Sequence, residues 1–206
     1  MALSLATIGA KITAAFVNLI IAVVNQQGLT GIIPTSATAV SGTATLGAAG
    51  KVTFSAATTV SLNGCFTSAY ENYAIILTTT AVSAAVDINV RLRLAGTDNT
   101  TASSYTYVRG YDLTSARTVA TPAAGTLWVC GAISTNYQTR TEEITLFGPA
   151  LAVVTTGRGK GMSGSTLTAS DYGWYHNQTV AYDGITFYPT SGTMTGTVRV
   201  YGWNNL

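Results

Sequence analysis

Charge is what this sequence has least of. Its 206 residues include ten Lys or Arg and eight Asp or Glu, 9% of the chain, against roughly 25% in an average soluble protein. The charges stand singly, with no basic stripe able to neutralise a run of phosphates, so nucleic acid is not an expected partner. There is one histidine, His176, with no Cys, Asp or Glu at ligand spacing from it, which argues against a zinc centre, and no metal site or cofactor is expected. A Ser-His-Asp hydrolase would need a Gly-x-Ser-x-Gly elbow, and Gly161-Met-Ser163-Gly-Ser165 fails that spacing. Long apolar runs are missing too. Ala14 to Val24 holds eleven residues, one of them Asn18, where a membrane helix needs about 20. No small-x-small cleavage site follows Val24, so neither a membrane span nor a secretory signal is expected.

In place of charge the chain has Thr, Ser, Ala and Gly, with hydrophobic residues at 47%. A chain of this length buries a full core, and one domain with an appendage is the default. A surface of hydroxyls, amides and small side chains suits an extracellular or virion protein better than a cytosolic enzyme. Two cysteines, Cys65 and Cys130, cannot staple a domain of this size. Their apolar neighbours read as core positions for free thiols, while a disulfide stays open because sequence does not fix the approach of their Cα atoms.

Residues 1–28 read as a helix that stops at Gly28. One face carries Leu5, Ile8, Ile12, Ala15, Leu19 and Ala22 at alternating spacings of three and four, and Phe16, Ile20 and Val23 add a second apolar face. Such a helix must bury itself in a helix bundle, on its own body or in a socket on another protein. Leu5, Ile8, Ile12, Phe16, Leu19, Ile20 and Val23 are therefore the expected oligomerisation or docking residues. Residues 29–50, with Pro34 and a Ser/Thr/Ala/Gly stretch, read as an extended linker or collar. From residue 51 to 206 the alternation has period two, plainest in Val86-Asp-Ile88-Asn-Val90-Arg-Leu92-Arg-Leu94. Further strands are expected near 51–54, 58–62, 73–80, 104–112, 126–131, 141–147, 151–155, 179–188 and 196–203. The fold class is mostly β: a jelly-roll-like antiparallel β-sandwich with one N-terminal α-helix.

Few residues are placed for chemistry. Gly157-Arg-Gly-Lys160-Gly-Met lacks the phosphate-loop pattern and reads as a mobile hairpin tip with two cations. Glu142 and Glu143 are adjacent in a strand, so they face opposite ways and cannot act together as a glycosidase pair. Asp98-Asn99-Thr100 offers one carboxylate where calcium needs several oxygens. Tyr172, Trp174, Tyr175 and His176 are the candidate ligand-binding residues, an aromatic concentration suited to stacking on sugar rings, and equally suited to filling a core or a subunit interface.

Several segments resemble a recurrent module of tailed-bacteriophage virion proteins: Val60-Ser-Leu-Asn-Gly-Cys-Phe66-Thr-Ser-Ala-Tyr70-Glu-Asn-Tyr73, Val90-Arg-Leu-Arg-Leu-Ala-Gly-Thr-Asp98 followed by Ser104-Tyr105, and the ending from Tyr182 to Gly202. Lys11 to Asn18 and Ile33-Pro34-Thr-Ser are similar to the anchor that often precedes it. The likeness covers most of the chain and is weaker over 113–180. It implies a structural virion protein, a tail fibre or minor tail protein contributing to host adsorption, or alternatively a capsid decoration protein or head fibre. It also implies a homotrimer, other virion proteins as partners, and host cell-surface glycan as a ligand. No catalytic residue comes with it. A polysaccharide-degrading enzyme and a stand-alone lectin are the competing classes.

Overall fold

The computed structural model describes residues 28–113, 116–120, 125–135, 139–163 and 168–204. Every named element among them is a strand: β1 (Leu29–Ile32), β2 (Ser36–Val40), β3 (Thr43–Leu46), β4 (Val52–Ala57), β5 (Thr59–Asn63), β6 (Asn72–Val82), β7 (Val86–Leu94), β8 (Thr97–Asp98), β9 (Tyr105–Leu113), β10 (Ala116–Ala120), β11 (Trp128–Ile133), β12 (Arg140–Phe147), β13 (Thr155–Ser163), β14 (Thr168–His176), β15 (Gly184–Pro189) and β16 (Met194–Trp203). They form two antiparallel sheets. The larger runs β10-β9-β14-β13-β12-β6-β16-β4-β3, with β1 also on β16, and the smaller runs β11-β7-β15-β5-β2, with β8 on β7.

Period-two alternation explains the sandwich. In β7 the side chains of Val86, Ile88, Val90 and Leu92 are buried, as the alternation predicts, and meet Ile75, Leu77, Val198 and Val200 from β6 and β16 in one continuous core. Each such aliphatic residue, taken fully out of water, contributes roughly 2 kcal/mol. Leu94 breaks the pattern and is 45% exposed. The chain turns back there through Ala95 and Gly96, both at positive φ, into β8. The opposite face of β7 is not open either. Arg93 donates to Ser61, Asn63 and Thr186 and pairs with Asp98, which also accepts from Thr186. The Asp98 carboxylate is thus spent on tying β5, β7, β8 and β15 together. Cys65 and Cys130 are fully buried free thiols whose pKa values burial pushes up.

Pairing runs in reverse chain order. β4 pairs β16, β5 pairs β15, β6 pairs β12 and β7 pairs β11, with the first member of each couple alternating between the two sheets.

Four expectations need correction. Residues 29–50 are not a free linker: β1 docks on β16, β2 on β5 and β3 on β4. Ala37, Ala39 and Ala44 pack against the core, and residues so small leave almost no hydropathy pattern to read. Residues 157–162 are not a hairpin tip but the middle of β13, hydrogen-bonded to β12 on one side and β14 on the other. No strand was expected over 168–176, where β14 lies, and the 179–183 part of an expected strand is irregular chain. The helix expected over residues 1–28 lies outside the described residues except for Gly28, and with it Leu5, Ile8, Ile12, Phe16, Leu19, Ile20 and Val23.

Candidate functional site

β14 places its residues alternately in and out, and this decides the fate of the expected ligand-binding group. Tyr172, Trp174 and His176 point into the sandwich and are buried, whereas Tyr175 is 45% exposed. Three of the four are therefore core residues, not an open stacking platform. Trp174 stacks on Trp128 at 5.0 Å and on Tyr172 at 4.9 Å between ring centroids. Both indole N–H groups are satisfied: Trp174 donates to the Val129 carbonyl at 3.0 Å and Trp128 to the Tyr175 carbonyl at 3.1 Å. These bonds fasten β14 to β11 across the two sheets. The layer is roomy because β13 faces it with Gly157, Gly159 and Gly161. A Cβ on Gly159 would lie 2.1 Å from the Tyr172 ring, and one on Gly157 would lie 2.9 Å from Leu146.

His176 closes one end of the aromatic layer, against Tyr105, Trp128 and Tyr182. The backbone N–H of Gln178 donates to its Nδ1 at 3.1 Å, which leaves the proton on Nε2, 3.2 Å from the Tyr182 hydroxyl. Burial lowers its pKa to about 4. The unfolded chain takes up this proton near pH 6.5 and the native protein does not, so the His176 contribution is complete above about pH 6.5 and is lost as pH falls towards 4, by up to about 3 kcal/mol. Glu142, whose pKa is raised, has the opposite slope between about pH 4.5 and 7. Urea titrations of wild type and His176→Gln across pH 4 to 8 therefore isolate the histidine in their difference. A difference that stays flat over that range would contradict the buried neutral imidazole.

The other end of the layer is ionic. Arg140 and Glu142 are each 2% exposed and pair through Nε and Oε1. Arg140 also donates to Ser170, and the Tyr172 hydroxyl donates to the second Glu142 oxygen at 2.9 Å. Burial pushes the Glu142 carboxyl up to about 7, against the lowering pull of Arg140 and of the Tyr172 hydrogen bond. Gly131 and Gly161 leave the space this pair occupies. Glu143 faces the other way, into solvent, as adjacency in a strand requires.

The solvent face of the same three strands carries the other concentration of polar groups. Glu143 of β12, Lys160 of β13 and Asp171 of β14 stand in direct register across adjacent strands. Arg158 lies one row further on, opposite Thr145 and Gly173. These residues border a shallow depression of about 390 Å³ that is also lined by Thr145, Gly159 and Tyr172. A second depression, also of about 390 Å³, adjoins it towards Met162 and shares Glu143, Lys160 and Asp171. Exposed Phe147 and Tyr175 lie beyond Gly173, with the Arg158 guanidinium 5.8 Å from the Phe147 ring centre. Reading 157–162 as a turn hid this face. The signal that could have revealed it is Gly at 157, 159 and 161 with Arg158 and Lys160 between them, a period of two in which one side of the strand has no side chains at all.

Among the described residues no three His, Cys, Asp or Glu are grouped to hold a metal ion, and no helix is long and apolar enough to cross a membrane.

No family model and no curated protein matches the sequence. Among solved structures, the chain is similar to domain 4 of AbnA, a GH43 extracellular arabinanase from Geobacillus stearothermophilus, in complex with arabinotriose. The match covers 84% of this chain and 92% of that one, at 6% identity and a TM-score of 0.32, too low to carry an argument about fold or function.

Proposed function

We propose that this protein is a non-enzymatic structural component of a tailed-bacteriophage virion, a tail-fibre or minor-tail head that contributes to adsorption on the host surface. One observation carries the reading. The segments that resemble the phage virion module, 60–73, 90–98 with 104–105, and 182–202, are far apart in sequence yet become neighbours in space. They supply β5, β15 and the end of β7 side by side in the smaller sheet, and β16 with the start of β6 side by side in the larger. The stretch in which the resemblance weakens, 113–180, supplies β10 to β14, which include the lateral extension of the larger sheet. A common frame bearing a variable flank is the expected build of an adsorption protein.

The finer fold assignment belongs to the same proposal. Reverse-order pairing of β4 to β7 with β11, β12, β15 and β16 supports a jelly roll, in which one long hairpin is wound around the core. A homotrimer is the proposed assembly. In its favour, the solvent face of the larger sheet from edge strand β3 to β12 has a row of Thr45, Thr53, Thr197, Thr78 and Thr141 in direct register, which lets copies approach without like-charge repulsion.

Immunogold labelling with an antibody against residues 50–206, on intact particles of the phage that encodes the chain, tests the proposal. Label at the tail tip or side is the expected result. Label over the head would replace the tail reading with a capsid decoration protein or head fibre, and a chain absent from purified particles would overturn both. Sedimentation equilibrium of the full chain at three times its 21.3 kDa mass is expected for the trimer.

A further inference from the structure

We propose that the solvent face of β12, β13 and β14 binds a neutral oligosaccharide, with Glu143 and Lys160 as its central hydrogen-bonding groups and Tyr175 as a stacking surface. This names the ligand class for adsorption and rests on the reading above for its biological setting.

Scarcity makes the site stand out. Eight acidic and ten basic residues are spread over the whole chain, yet Glu143, Arg158, Lys160 and Asp171 all border one depression. Ordinary cross-strand ion pairing does not account for Glu143 and Lys160. Glu143 and Lys160 are direct partners in register, at the separation where opposite charges usually pair. No ion pair joins these two. Both lie at exposed positions beside a hollow that Gly173, which sets no side chain on this face, leaves open.

The mixture of signs selects the ligand. A phosphate, a nucleic acid or an acidic sugar would meet Glu143 and Asp171, and a cationic peptide would meet Arg158 and Lys160. A neutral sugar meets no such conflict, because each hydroxyl both donates and accepts. Neighbouring hydroxyls can donate to the Glu143 carboxylate and accept from the Lys160 ammonium, bonds stronger than those between neutral groups. The C–H face of a pyranose or furanose ring is apolar and suits an aromatic surface. Tyr175 supplies one four residues along β14 from Asp171, about 13 Å away at strand rise. That spacing is longer than one sugar ring, so the ligand is a chain of several residues lying along the sheet. The open, shallow form of the two adjoining depressions fits such a pose and not the capture of a single small molecule.

The test uses the purified full chain on a printed array of neutral and acidic glycans, followed by titration calorimetry with the best neutral tetra- to hexasaccharide. Wild type is expected to bind at least one neutral oligosaccharide. Glu143→Gln, Lys160→Met and Tyr175→Ala, all at exposed positions, should each weaken binding about tenfold or more, with melting temperature unchanged. Thr53→Ala, on the same sheet but away from the depression, should leave binding intact. The proposal is overturned if the folded protein binds no neutral glycan, if it binds acidic glycans alone, or if Glu143→Gln and Lys160→Met bind as wild type does. The outcome is separable from particle labelling. A labelled virion protein without glycan affinity defeats this proposal only, and a glycan-binding chain absent from particles defeats the virion reading only.

Discussion

Glu142→Leu is expected to destabilise the protein by about 3–5 kcal/mol at pH 8, and Arg140→Met/Glu142→Leu to be more stable than that single variant. Arg140 and Glu142 are almost wholly buried, each held by a hydroxyl from β14. Removing the carboxylate alone leaves a guanidinium inside the sandwich, held among the described residues by the Ser170 hydroxyl. Removing both replaces a desolvated ion pair with apolar volume. The recovery is incomplete, because the Tyr172 and Ser170 hydroxyls then lose their partners, at roughly 1–3 kcal/mol each where water does not reach them. Urea denaturation of the wild type, the two single variants and the double variant gives the coupling directly. A cost below about 1 kcal/mol for Glu142→Leu, or a double variant whose loss equals the sum of the singles, would mean that water reaches the pair and that it is not sealed in the core.

Gly159→Ala is expected to cost about 3 kcal/mol, a large loss for one methyl group. The added Cβ would lie 2.1 Å from one carbon of the Tyr172 ring and 2.5 Å from the next. The ring has little room to retreat, being stacked on Trp174, which is itself stacked on Trp128. Gly173→Ala is the control. It lies in the neighbouring strand on the opposite face, where an added Cβ would meet only Val108, at 3.4 Å, and should change stability by no more than about 0.5 kcal/mol. Chemical denaturation of both variants measures the contrast. Equal effects would show that backbone freedom, not the space beneath Tyr172, sets the need for glycine at 159.

The sequence was legible where large and polar side chains alternate. β7 and β12 lie where that pattern puts them, the opposed orientations of Glu142 and Glu143 follow from it, and the cysteines were readable as core thiols from their apolar neighbours. It was illegible where one side of a strand is made of very small residues. In β13 the inward positions are mostly glycine, and in β2 they are alanine, so hydropathy carries no period there. The error then spread to β14. Without a strand at 168–176 there was no parity to separate Tyr172, Trp174 and His176 from Tyr175, and four aromatic-rich neighbours were grouped by proximity in sequence when the pleat divides them three to one. The depression on the solvent face was missed for the same reason, since its residues come from three strands and only the register brings them into one row.

β1 lies against the end of β16, with Leu29 opposite Trp203, and the backbone N–H of Asn204 donates to the Gly28 carbonyl at 3.2 Å. Residues 28 and 204 thus share one corner, and the path between them is close to a closed ring. A body of this kind tolerates being cut and rejoined. A short peptide linking 204 to 28, with new ends opened in the exposed segment 151–154, preserves every strand pair of the two sheets. By the same geometry the body could be spliced as a guest into a surface loop of an unrelated host, with both joints on one side and the β12–β14 plate left uncovered.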